Sequence, residues 1–87
     1  MASLDLRKET RIRSRGTVEL CRSGHEGVAA TIIDVAVSGI GVGTGVALDP
    51  GTRVDVVGAG FAAEAVVRHC TANGSGFRVG LELIPPD

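Results

Sequence analysis

Phe77-Arg78-Val79-Gly80-Leu81-Glu82-Leu83 puts apolar side chains on odd positions and Arg78, Gly80 and Glu82 on even ones. A period of two gathers the apolar set on one face of an extended chain, as in a half-buried antiparallel strand, and does not fit the 3.6-residue period of a helix. The same alternation runs backward along the chain. Phe61 to Arg68 sets Phe61, Ala63, Ala65 and Val67 on one face, and Thr52-Arg53-Val54-Asp55-Val56-Val57 and Thr17-Val18-Glu19-Leu20-Cys21-Arg22 alternate as well. Gly27 to Ile33 is small and β-branched, and Gly39-Ile40-Gly41-Val42-Gly43 reads as a further short strand. Turn residues separate these runs at Ser23–Gly27, Asp49-Pro50-Gly51, Gly58-Ala59-Gly60 and Ala72–Gly76, at gaps a hairpin can bridge. The expected fold is all-β, a small six-stranded antiparallel β-barrel, because closure removes the exposed edges of so short a sheet. Residues 1–15 lack this periodicity and are read as a flexible basic N-terminal arm, with 16–87 forming the barrel. Pro85 and Pro86 end the last strand, and no C-terminal helix is expected.

The chain has 87 residues, enough for one small domain and not for a two-lobed enzyme. An apolar fraction of 44% supports a real core and excludes disorder. Phe61 and Phe77 are its only aromatics, so that core rests on Val, Ala, Ile and Leu, and a nucleic-acid surface built on stacked rings is disfavoured. The net charge of −1 gives no general affinity for polyanions. Yet Arg7, Lys8, Arg11, Arg13 and Arg15 crowd one short stretch, opposed there only by Glu9. A local block of this kind suits a small anion. No run reaches the roughly 18–20 apolar residues of a membrane helix, and no signal peptide opens the sequence. The chain therefore reads as a cytoplasmic protein without membrane insertion. Cys21 and Cys70 make no disulfide framework and are expected to be buried free thiols.

Several chemistries fail on spacing. Cys21, His25, His69 and Cys70 match no zinc pattern, and His69 and Cys70, as neighbours on a strand, face opposite ways. No histidine is set beside a nucleophile and a third orienting group, so no catalytic residues and no cofactor are expected. Gly39-x-Gly41-x-Gly43-x-Gly45 is neither a dinucleotide fingerprint nor a P-loop. Its glycines share one face of a strand, which makes a groove or a tight barrel interior. Two features remain. Arg7 and Arg11 stand four apart, each with a planar fork of donors suited to phosphate or to the acceptor edge of guanine. Asp34-Val35-Ala36-Val37-Ser38-Gly39 offers a carboxylate that accepts from ring N–H groups and a glycine that permits close approach.

In this order and on this strand background, the two features resemble the PilZ domain. That family carries Arg-x-x-x-Arg in an N-terminal loop and Asp/Asn-x-Ser-x-x-Gly further on, which here fall on Arg7-x-x-x-Arg11 and on Asp34 to Gly39. Asp34 to Val42, Pro50 to Val54, and Ala63 to Arg68 followed by Gly76 to Leu81 are similar to later parts of the family pattern. The resemblance implies a six-stranded barrel that binds cyclic di-GMP and regulates motility, exopolysaccharide or biofilm formation through an effector protein. It implies ligand contacts at Arg7, Arg11, Asp34, Ala36 and Gly39, with Arg13 and Ser38 as additional candidates. Family members often carry a helix after the last strand, which the two prolines do not lead one to expect here.

Ala36 departs from the pattern, because it occupies the serine position. One neutral hydrogen bond is worth about 0.5–1.5 kcal/mol, or about two- to tenfold in affinity, whereas each charge-assisted arginine contact contributes about 1.5–3 kcal/mol. The expectation is binding that is weakened and not abolished. The alternative is a PilZ-like protein-interaction module that has lost its nucleotide. An oligonucleotide-binding barrel is opposed by the missing aromatics and the acidic remainder of the chain.

Overall fold

The alternating segments form strands that pair edge to edge until the sheet meets itself. The computed structural model describes residues 12–13 and 15–85. Its strands are β1 (Ile12–Arg13), β2 (Thr17–Cys21), β3 (Val28–Ala36), β4 (Gly39–Thr44), β5 (Arg53–Gly58), β6 (Phe61–Asn73) and β7 (Gly76–Leu83), and no helix occurs among the described residues. All pairings are antiparallel and run β3-β2-β5-β6-β7-β4, with β4 returning to β3. The result is the expected closed six-stranded barrel, with β1 as a short addition against β3.

Strand parity fills the interior. Leu20 of β2, Val42 of β4, Val56 of β5, Val67 of β6 and Val79 of β7 are all sealed from water, and Leu48 of the β4–β5 connection joins the same cluster. Each such side chain contributes about 1.5–3 kcal/mol on burial. Thr44 is the buried polar residue among those described, and its hydroxyl donates to the Val46 carbonyl at 2.7 Å.

The structure departs from the sequence reading in four places. The segment read as an arm includes β1, whose Ile12 and Arg13 pair with Val35 and Asp34. Beside it, β2 pairs with β3 only as far as Thr31, and Gly16, at a φ of 141°, turns the chain between the two. The amide of Ile32 donates to the Gly16 carbonyl at 2.8 Å across that break. Second, β6 continues well past Arg68, to Asn73. Third, Phe61 is 44% exposed and does not enter the core. It is the register partner of Gly58, and its ring occupies the space a Gly58 side chain would need, so the aromatic covers a cross-strand glycine at the hairpin end. Fourth, Cys21 and Cys70 are free thiols but only partly buried, Cys21 at the end of β2 and Cys70 in β6 beyond its register shift.

The interior explains which changes unfold the protein. Leu20→Ala should lower stability by about 2–5 kcal/mol, a large share of the total for so small a domain. Val37→Ala, at a hairpin tip that is 91% exposed, should stay within about 0.5 kcal/mol. Urea denaturation followed by circular dichroism measures both, and equal losses would contradict the assigned core.

Candidate functional site

Two single-residue bulges decide what the outer face presents. In β3, Ala30 and Ile32 face the core, so regular alternation would send Asp34 inward as well. The register with β4 shifts between Ile32 and Asp34, which leaves Ile33 as the extra residue. Beyond it Val35 packs against the core, and Asp34 turns outward opposite Gly41. In β6, Ala65 and Val67 face inward, and the register with β7 shifts between Val67 and His69. After that bulge at Arg68, Cys70 packs inward and His69 is exposed opposite Gly80. Gly41 and Gly80 are themselves register partners. One row therefore crosses four strands on the outside of the barrel: Asp34, Gly41, Gly80, His69.

The two glycines let side chains lie flat on this row. A Cβ at Gly41 would stand 2.6 Å from Asp34 Oδ1 and 3.2 Å from an Arg78 guanidinium nitrogen. A Cβ at Gly80 would run into the His69 imidazole. Arg78, on β7, reaches across β4 to donate to Asp34 Oδ2 at 2.8 Å. The pair is partly withdrawn from solvent, with side-chain exposures of 37% for Arg78 and 15% for Asp34, so the contact is charge-assisted and poorly screened. Beside the row lies a groove of about 220 Å³, lined by Ser38, Arg68, His69 and Glu82 and by the backbone of Gly39 and Gly80. Arg68 and Glu82 form an ion pair at its rim.

This face sets an acceptor, Asp34, and a donor, Arg78, side by side over a strand position, Gly41, that has no side chain. Among the described residues, no three His, Cys, Asp or Glu side chains gather where they could hold a metal ion. Partial burial and the Glu19 carboxylate push the Cys21 thiol up from its ordinary value, which disfavours the thiolate.

Of the residues singled out in the sequence, Arg7 and Arg11 lie outside the described residues. Arg13, in β1, is the register partner of Asp34. Ala36 ends β3, is buried at 7% exposure, and pairs with Gly39 across the two-residue turn formed by Val37 and Ser38. The Ser38 carbonyl accepts from the Leu83 amide at 2.9 Å, tying this turn to β7. Gly39 is required by packing: a Cβ there would run into the Leu81 carbonyl oxygen. The alternating glycines of β4 thus face the outside of the barrel, and the interior is reserved for Ile40 and Val42. Arg78 and His69 lie outside the two motifs that the sequence offers for ligand contact. Alternation places Arg78 on the outer face, but nothing local links it to a carboxylate 44 residues away.

A family model for the PilZ domain matches residues 5–87. The chain belongs to the PilZ domain family. Among solved structures, it is similar to the one described as the PilZ domain with c-di-GMP of YcgR from Escherichia coli. That likeness has a TM-score of 0.73 at 14% identity, covering 92% of this chain and 79% of the other. Comparison by sequence with curated proteins finds no match. At this identity the structural likeness speaks for the fold alone, and the closed barrel is the PilZ architecture in this chain.

The glycines of β4 should respond differently to substitution. Gly39→Ala sets a methyl against rigid backbone, and overpacking of this kind costs about 1–3 kcal/mol, lowering the melting temperature by about 5–20 °C. Gly41→Ala meets only the ends of two flexible side chains. It should melt within about 3 °C of the parent while shifting the NMR resonances of the Arg78 guanidinium. Thermal melts and a 15N side-chain spectrum check the pair, and equal melting temperatures would refute the distinction.

Proposed function

We propose that this PilZ domain is a regulatory receptor for cyclic di-GMP. The observation that carries the reading is the Asp34 carboxylate, turned to the outer face by a bulge and held over Gly41 by Arg78. A carboxylate in that position accepts from the N1–H and 2-amino groups of guanine. The ligand named for the structurally similar YcgR domain supports the same choice. So does the basic stretch, since β1 begins one residue after Arg11 and pairs beside Asp34.

In this reading Arg7 and Arg11 grip the phosphates and a guanine, and Asp34 takes the Watson–Crick edge of a guanine. Arg13 adds positive potential. Gly39 keeps the hairpin closed against β7, and Ser38 stands beside the groove. Ala36 supplies no hydroxyl, which weakens the site without removing its charged contacts. The domain acts by binding and not by catalysis. Ligand capture by the basic stretch alters the surface shown to an effector protein, with motility, exopolysaccharide or biofilm output downstream.

One observation favours a second reading. Ala36 is buried and cannot donate, and Asp34 is already engaged by Arg78, as in a domain that has given up its nucleotide and kept a protein-interaction role.

Isothermal titration of the full chain with cyclic di-GMP, with GTP as the control ligand, separates the two. The receptor reading expects micromolar or tighter binding of cyclic di-GMP alone. Arg7→Ala, Arg11→Ala and Asp34→Ala should each weaken it at least about tenfold with the fold intact by circular dichroism. No heat from a folded sample refutes the receptor reading in favour of the second.

A further inference from the structure

Arg78 lies outside the two motifs that carry the expected ligand contacts, Arg7-x-x-x-Arg11 and Asp34 to Gly39, in the closing strand. It is on β7, it reaches over β4, and it meets Asp34 of β3 only because Gly41 between them has no side chain. Its own register partner is Gly43, so the guanidinium leans along the strand, away from its direct neighbour, to make this contact. Two other ion pairs of the barrel, Arg53–Glu64 and Arg68–Glu82, have every side chain at least half exposed. Pairs so exposed hold side chains only loosely. The Arg78–Asp34 pair, at 37% and 15% exposure, is different in kind.

We infer that Arg78 is a positioning and specificity residue of the guanine subsite, completing with Asp34 an acceptor–donor pair that matches the edge of guanine. The inference rests on the cyclic di-GMP reading above. Guanine presents in sequence the 2-amino donor, the N1–H donor and the O6 acceptor. A carboxylate meets the first two, and a guanidinium alongside it meets the third. An arginine has five N–H donors, and the bond to Asp34 takes one of them. Adenine reverses the pattern, with an N1 acceptor facing the carboxylate and a 6-amino donor facing the guanidinium. The pair therefore favours guanine and opposes adenine. Arg78 also fixes the carboxylate before the ligand arrives, so less freedom is lost on binding.

The test is a double-mutant cycle on the full chain, read by calorimetric titration with cyclic di-GMP and with cyclic di-AMP. Arg78→Gln should weaken cyclic di-GMP binding about 10- to 100-fold while melting within about 3 °C of the parent. It should narrow the preference for cyclic di-GMP over cyclic di-AMP by a similar factor. On an Asp34→Asn background, the same change should cost less than about twofold, because the two residues act as one unit. Arg78→Lys keeps the charge without the fork and should fall between the parent and Arg78→Gln, and it serves in the cycle should Arg78→Gln fail to fold. Unchanged affinity in Arg78→Gln, an unchanged guanine preference, or fully additive losses in the double variant would each overturn the inference while leaving the receptor reading intact. Failure of the folded parent to bind cyclic di-GMP would overturn both.

Discussion

In a closed barrel each strand has one face against the core and one against water, and a strict period of two assigns every side chain to one or the other. The placement of the candidate site depends on where that period is broken. Ile32-Ile33-Asp34-Val35 cannot obey it without loss: with Ile32 inside, regular alternation would bury Asp34 and expose Val35. Burying a carboxylate in an aliphatic interior costs far more than one unpaired ladder position. The bulge at Ile33 resolves the conflict, and its side chain rests on the outside near Gly43. Val67-Arg68-His69-Cys70 poses the same problem in β6, and the bulge there solves it by the same means. The two solutions lie on strands separated by β4 and β7, so both polar groups arrive on one row.

What lies between them is as consequential as the groups themselves. Glycine within a strand costs about 0.5–1 kcal/mol relative to alanine, and three glycines in β4 are a real local expense. Gly39 is needed because the Leu81 carbonyl fills the space of a side chain. Gly41 has a different role, since only the tips of Asp34 and Arg78 approach it. One glycine secures the hairpin against β7, and the other lets an ion pair cross a strand. Stability alone accounts for the first but not for the second.

Much of this was legible in the sequence, for reasons that also mark its limits. Core positions such as Leu20, Val42, Val56 and Val79 announce themselves by alternation, which depends only on near neighbours. The Asp34–Gly39 hairpin is continuous in the chain, so its residues meet whatever the rest of the fold does. The contact between Arg78 and Asp34 needs barrel closure, the register of two strand pairs and a bulge, none of which has a period. The exposure of Phe61 is not legible in the sequence, because its parity is correct but its partner, Gly58, lies at a hairpin end. β1 is not legible either, because two paired residues are too few to alternate visibly.

The substitution at Ala36 takes on a different weight in this setting. A serine there would offer one neutral hydrogen bond at the end of β3, where the residue is already buried. The Asp34–Arg78 pair is two residues away along the strand, charged, and shielded enough for its interaction to persist in salt. In the receptor reading, the cost of desolvating Asp34 has largely been met when the protein folds, and a guanine edge that satisfies both partners adds contacts without stripping a fresh charge of water. Affinity then depends on the preformed pair and on the basic stretch more than on any single hydroxyl. On that physical ground, the missing hydroxyl alone is a weak argument for a lost site.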